Sequence, residues 1–177
     1  MFEDLSALVL VHFVAASLAI VLGAMIFLMP KGTIKHRWTG MAYIAAMFVT
    51  VVSVVPVRAT VMPFFGTRFG FFHVFVVVGF VSLIFGISRL LKWRRTRDVE
   101  ALRAHQVHLA YSYAGLLMAG FSQIASNPRW LLVEIDSAGQ FWGIFAAVNI
   151  AIYVVAMWLI QSKLAKGDPR RWYPKAV

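Results

Sequence analysis

Cysteine is absent from this chain of 177 residues, and charged residues of either sign are few. The absence of cysteine excludes disulfides, thiolate metal ligands, iron–sulfur clusters and a cysteine nucleophile. Charged residues make up 14% of the sequence, against about 25% in soluble domains, whose water-facing surface needs them. This composition excludes a disordered chain, a coiled coil and an ordinary soluble enzyme.

Apolar residues and positive charge are what the chain has instead. Hydrophobic residues make up 61% of it, and the mean hydropathy is +0.79. Seventeen Lys and Arg residues against seven Asp and Glu residues give a formal net charge of +10. A basic balance raises nucleic acid as a partner, but in a chain this apolar it favours cationic segments at the cytoplasmic face of a bilayer. We therefore expect the lipid bilayer, and not nucleic acid, as the partner.

Five apolar runs are long enough to cross a membrane as helices, which takes about 20 residues each. They predict an all-α integral membrane bundle, a single domain over residues 1–177, with helices at about Leu5–Met29, Trp38–Pro63, Phe69–Leu91, His105–Ala125 and Phe141–Gln161. Pro56 predicts a kink or an early stop in the second helix. The first run is expected to be a retained helix and not a cleaved signal peptide, since its start is acidic.

Basic residues are concentrated in alternate connections. They follow the first and third runs and fill the C-terminal tail, whereas the N-terminus begins with Glu3 and Asp4. The most basic segment is the third connection, a predicted loop from about residue 92 to residue 104. The positive-inside rule places the N-terminus outside and the C-terminus in the cytoplasm. We expect a multi-pass protein of the bacterial cytoplasmic (inner) membrane.

Histidines are the candidate functional residues, because ionisable groups inside membrane helices are costly and usually functional. On the predicted topology they form two layers. The outer layer contains His12 of the first helix and His73 of the third. The inner layer contains His36 of the second helix and His105 of the fourth, with His108 one turn further on.

Two helices that offer histidine at one depth meet the requirement of bis-imidazole haem ligation. We predict one or two b-type haems, with His12 and His73 ligating an outer haem and His36 and His105 an inner one. Small residues that share the His12 face would leave room for a macrocycle, although such stripes also serve close helix packing. These residues are Ala16, Ala19 and Gly23.

Other polar residues are assigned supporting roles. Arg58 would either extend its charged end to the membrane interface or hold a haem propionate, with Arg68 and Arg129 as alternatives on the outer face. Tyr43 shares a helix face with His36 and is a further candidate for cofactor binding. Asn149, near the middle of the fifth helix, predicts an interhelical hydrogen bond.

A zinc or copper site is the alternative cofactor. His36, His105 and His108 could together supply three imidazole ligands. No carboxylate lies inside any predicted span, and an H-E-x-x-H motif is absent, so an intramembrane hydrolase is disfavoured.

The sequence HRWTGMAY at His36 to Tyr43 resembles the HR-x-x-G-x-x-Y motif of a family of predicted bacterial membrane proteins, which is defined as a domain of unknown function. That pattern also has a His in the first helix and two later histidines, which match His12, His73 and His105. The resemblance covers about residues 8 to 130. It implies a multi-spanning inner-membrane protein with four recurring histidines. The layout is also similar to that of four-helix b-type cytochromes, by analogy of architecture.

Two functional hypotheses follow from these observations. The first is a small b-type haem protein that carries electrons between the two membrane faces, with quinone as a partner; as an enzyme it would be a haem-dependent membrane oxidoreductase. The second is a non-redox accessory subunit or assembly factor of a larger respiratory or photosynthetic complex, in which the histidines bind metal or support packing. Transport is disfavoured because the sequence has no inverted repeat.

Overall fold

The apolar runs of the sequence fold as five long α-helices in the computed structural model, which describes residues 6–57, 67, 69–126 and 137–172. The helices are α1 (Ala7–Leu28), α2 (Ile34–Val54), α3 (Phe71–Thr96), α4 (Val99–Ser126) and α5 (Ala138–Leu159). A π-helical segment, Ile160–Leu164, continues α5, and a 3₁₀ turn follows at Pro169–Trp172. The described residues confirm the all-α prediction.

Among the described residues, four segments are long and apolar enough to cross a membrane. They are Ala7–Leu28, Ile34–Val54, His73–Thr96 and Ala138–Leu164. The remaining helix, α4, is the longest at 28 residues and carries more polar side chains. It packs against α1, α3 and α5, and its Ser112 and Ser122 are fully buried. The helix with the most polar composition therefore lies inside the bundle.

Short polar side chains begin three of the helices. The hydroxyls of Ser6, Thr33 and Ser137 each accept a hydrogen bond from the backbone N–H three residues later. Such N-caps satisfy a donor that the helix itself leaves unpaired. The starts of α1, α2 and α5 are thus fixed by their local sequence.

The second helix ends earlier than the apolar run. It stops at Val54, and Val57 N–H bonds to the Val54 carbonyl in the turn that follows. Pro56 has no N–H to donate to the preceding turn. The early stop is therefore confirmed, and the prediction that this helix reaches Pro63 is wrong.

The predicted loop at residues 92–104 is also wrong. The third helix continues to Thr96 and the fourth begins at Val99, so only Arg97 and Asp98 connect them. Arg97 adopts a left-handed backbone (φ 55°), and its N–H bonds to the Trp93 carbonyl at 2.8 Å. Arginine and lysine are good helix formers, so a dense run of them does not by itself indicate a loop.

Asp98 stabilises this short turn. Its carboxylate accepts the backbone N–H of Glu100 at 3.0 Å and pairs with the Lys92 ammonium at 2.8 Å. The hydrogen bond from Lys92 holds the pKa of the Asp98 carboxyl below its usual value. The sequence predicted that the fourth helix begins at His105. Because α4 begins at Val99, His105 instead lies about 9 Å along it.

The core lies where α1 to α4 meet. It consists of Ala19, Tyr43, Ala46, Met47, Leu83 and Leu116. Glycines bring α3 and α4 close together there: a Cβ on Gly115 would lie 3.7 Å from Gly79 Cα. The Asn149 amide of α5 donates to the Ser122 hydroxyl of α4 at 2.6 Å, which confirms the predicted interhelical hydrogen bond.

Gly23 of α1 lies against the Tyr113 ring of α4, and a Cβ there would overlap the ring. Because the Tyr113 hydroxyl donates to the Ile20 carbonyl at 3.0 Å, the ring cannot move aside freely. The small-residue stripe of α1 is thus used for packing at Ala19 and Gly23.

We expect Gly23→Ala to lower the stability of the detergent-purified protein by about 1–3 kcal/mol, as overpacking does. Gly143→Ala is the matched control, since a Cβ on Gly143 meets nothing within 4 Å. Alanine there should be neutral or stabilising, by at most about 1 kcal/mol. Thermal unfolding midpoints compare the two variants. Equal midpoints would contradict the packing of Tyr113 on Gly23.

Candidate cofactor site

Four of the five histidines form two pairs, each drawn from two helices. The imidazoles of His12 (α1) and His73 (α3) lie close enough for their charges to interact. The same holds for His36 (α2) and His105 (α4). We call these the outer pair and the inner pair, after the predicted orientation. The two histidines that the sequence assigned to each layer are thus within electrostatic range of each other.

The two pairs lie at different depths. His12 contacts Thr50 of α2, and Thr50 is 14 residues from His36 on that helix, a rise of about 21 Å. The core residues Ala19 and Tyr43 lie between these levels, each about 10 Å along its helix from a histidine. An apolar layer thus separates the two pairs.

The proton on the His12 ring is fixed by a backbone carbonyl. His12 Nδ1 lies 2.9 Å from the Thr50 carbonyl oxygen and 3.3 Å from Ser53 Oγ. A carbonyl oxygen can only accept, so Nδ1 carries the hydrogen. The Nε2 atom of His12 is left with its lone pair, the arrangement typical of metal-ligating histidines.

His105 has the same hydrogen-bonding pattern at the other level. Its Nδ1 donates to the Gly86 carbonyl of α3 at 2.9 Å, which again leaves the lone pair on Nε2. Gly86 permits the approach of α4, because a Cβ at this position would overlap the Leu109 side chain. The orientation of His105 thus depends on a glycine of the neighbouring helix.

His73 has the opposite tautomer. Its Nδ1 accepts the backbone N–H of Gly70 at 3.1 Å, so the ring hydrogen lies on Nε2. This contact caps the start of α3, as polar side chains at the third helical position do. Within the described part of the chain, His73 Nε2 is buried and has no hydrogen-bond partner.

His36 presents a second unpaired nitrogen. Its backbone N–H bonds to the Thr33 hydroxyl at 3.1 Å, which fixes the residue in the first turn of α2. Its Nδ1 is buried without a partner among the described residues. Buried polar atoms usually have partners, so each pair contains one imidazole nitrogen that a ligand could satisfy.

His108 lies apart from the inner pair. Its ring stacks on Phe85 of α3, with the ring centroids 5.6 Å apart. No three His, Asp or Glu side chains of the described residues form a group that could hold a metal ion. The structure therefore does not bring His36, His105 and His108 together as a three-ligand cluster.

The remaining candidates divide between the core and the part of the chain outside the described residues. Tyr43 is buried, and its hydroxyl lies 3.4 Å from Ser112 Oγ, so it links α2 to α4 in the core. Arg58, Arg68 and Arg129 lie outside the described residues. Tyr113, which did not stand out in the sequence, has its ring centroid 6.4 Å from that of Tyr43 and 5.4 Å from that of Phe27.

The ring tautomers are directly testable by NMR on protein prepared without cofactor and carrying isotope-labelled histidine. We expect Nδ1–H tautomers for His12 and His105, because each Nδ1 faces a backbone carbonyl that can only accept. We expect an Nε2–H tautomer for His73, because its Nδ1 accepts the Gly70 N–H. Single His→Gln variants assign the signals. A hydrogen on Nε2 of His105 would contradict the described contact with Gly86.

Comparison with known proteins gives one match. The family model described as predicted membrane protein (DUF2306) matches residues 9–162. This range covers most of each of the four described segments that are long and apolar enough to span a membrane. No curated protein and no solved structure matches the chain. The match covers both histidine pairs and most of the chain. The chain therefore belongs to this family of predicted membrane proteins.

Proposed function

We propose that the protein is a b-type haem protein of the bacterial inner membrane, which carries electrons between the two faces of the bilayer. The outer pair would ligate one haem and the inner pair another. A membrane-soluble quinone is the electron partner that this location favours. The proposal is supported by His12 and His105, whose Nδ1 atoms bond to carbonyls of neighbouring helices at two depths, each within electrostatic range of a second histidine, His73 or His36.

The hydrogen bonds of His12 and His105 support ligation. Both rings donate Nδ1–H to a backbone carbonyl of a neighbouring helix. Such a contact fixes ring orientation and raises the basicity of Nε2, the nitrogen that would face the iron. One histidine of each pair is thus already in the protonation state that a ligand needs.

The second histidine of each pair would supply the other nitrogen that holds the haem. His36 has a buried nitrogen without a partner, as does His73, within the described residues. For His73, Nε2 becomes a ligand only when its hydrogen moves to Nδ1 and the contact with Gly70 N–H opens. The donor set fits two bis-imidazole sites, with a rearrangement required at the outer one.

Haem supplies one-electron redox chemistry when bound. The protein's part is to hold the rings and exclude water. The apolar core around Leu83, Met47 and Leu116 lies between the pairs and keeps the interior dry. Burial and hydrogen bonds to the ligands are the means by which a protein tunes the potential of such a group.

We also propose that α4 is a fifth membrane span, with the N-terminus outside and the C-terminus in the cytoplasm. Its 28 residues extend about 42 Å, more than a bilayer core requires. Its polar groups bond to neighbouring helices: Tyr113 to Ile20, Ser112 to Tyr43 and Ser122 to Asn149. A polar side chain paired in this way is compatible with a membrane interior.

Single cysteines test the topology, because the chain has no cysteine of its own. We expect a membrane-impermeant maleimide to label Thr67→Cys and Ser137→Cys in intact spheroplasts. Thr96→Cys and Lys166→Cys should react only after lysis. Labelling of positions 96 and 137 on one side would show that α4 does not span, and a fully reversed pattern would contradict the orientation alone.

The haem proposal is tested by absorbance of protein purified from cells supplied with a haem precursor. We expect a dithionite-reduced spectrum of b-type haem. Each of His12→Gln, His73→Gln, His36→Gln and His105→Gln should remove the haem of its own pair and leave the other. Glutamine suits the test because it can keep the contacts with Thr50, Gly70 and Gly86 while offering no imidazole.

His108→Gln is the matched control, since His108 lies one turn from His105 and stacks on Phe85. It should retain both haems. Absence of haem from the unsubstituted protein would overturn the proposal. Co-purification of such haem-free protein with a larger membrane complex would favour an accessory subunit, and metal analysis would detect copper or zinc.

A further inference from the structure

A groove of about 570 Å³ lies between α1, α4 and α5, and no histidine lines it among the described residues. Small residues of α4, Ala110 and Ala114, form its floor. Phe27 of α1 lies on one side, and Ile152 and Val155 of α5 lie on the other. Its volume falls in the range of about 300–1,000 Å³ that small-molecule sites occupy.

Among the described residues that line the groove, two are charged, and both are lysines. Lys31, in the connection from α1 to α2, and Lys163, in the π-helical segment after α5, lie at the inner end. The Lys31 ammonium donates hydrogen bonds to carbonyls at the end of α1, those of Ile26, Phe27 and the capping residue Met29. The Lys163 side chain is exposed.

Further positive charge lies beside Lys163. The Arg171 guanidinium donates to the Lys163 carbonyl. The neighbouring carboxylate, Asp168, forms an ion pair with Arg170 at 3.0 Å. The groove is therefore apolar along most of its length and cationic at its inner end.

We propose that this groove binds one anionic glycerophospholipid, with an acyl chain along α4 and the phosphate beside Lys31 and Lys163. Apolar walls accommodate a chain, and basic groups between helices near the cytoplasmic face attract anionic headgroups. Neither lysine is ion-paired with a carboxylate of the described residues, so a neutral ligand would leave both charges without a partner there. The site is separate from the histidine pairs and does not depend on haem.

Native mass spectrometry of the full chain in detergent tests this site. The protein is titrated with phosphatidylglycerol or with phosphatidylcholine that has the same acyl chains. We expect phosphatidylglycerol to bind about fivefold more tightly, the effect of about one lysine charge near a headgroup. Equal binding of the two lipids would overturn the proposal.

Two pairs of variants locate the binding. Lys163→Gln should abolish the preference for phosphatidylglycerol, whereas Lys166→Gln, an equal change of charge at an exposed residue outside the groove, should retain it. Ala156→Phe should fill the groove and reduce binding of both lipids. Ala147→Phe, on the opposite face of α5, should not.

Equal effects within either pair would contradict a site in this groove. A neutral isoprenoid quinone that displaces phosphatidylglycerol and binds equally well to Lys163→Gln would also overturn the proposal, because it would show that the lysines are not part of the recognition.

Discussion

Polar side chains inside this bundle must find partners within the protein, because lipid offers none. The Tyr113 hydroxyl donates to Ile20, the Tyr43 hydroxyl meets Ser112, and the Asn149 amide donates to Ser122. Each contact joins α4 to a different helix. The same constraint acts on His12 and His105, whose Nδ1–H groups bond to carbonyls of adjacent helices. The interactions that hold the helices together therefore also fix the ring tautomers of the candidate site.

Close helix approach makes these contacts possible. Gly86 lets Leu109 and His105 reach α3, and Gly23 lets the Tyr113 ring lie against α1. A side chain at Gly23 would push against the Tyr113 ring, whereas one at Gly86 would require the Leu109 side chain to turn aside. Small residues thus determine where polar groups can meet, which is the usual function of glycine and alanine in membrane bundles.

Much of the fold could be predicted from apolar runs, since length and hydropathy decide which helices can cross a bilayer. The placement of the histidines at two levels also followed from the sequence, because consecutive helices run in opposite directions and the rise per residue is fixed. The ligands, the orientation and the fifth span remain predictions.

Two features could not be read in this way. Arg94 and Arg95 are helical although they lie in the most basic segment. Positive charge indicates which side of the membrane a segment lies on, but it does not indicate where a helix ends. The groove beside α4 depends on which faces of α1 and α5 meet small residues, and a one-dimensional pattern does not contain that information. Tyr113 was missed for the same reason, because its hydrogen bond with Ile20 is formed only in the folded bundle.

The central claim is that each histidine pair ligates one haem iron through two imidazoles. Low-temperature electron paramagnetic resonance of the oxidised, purified protein tests it most directly, because two axial imidazoles give low-spin ferric haem. We expect low-spin signals from both sites, with His105→Gln removing the inner one alone. A protein that binds haem only in a high-spin form, or whose signals are unchanged by His105→Gln, would contradict ligation by these pairs.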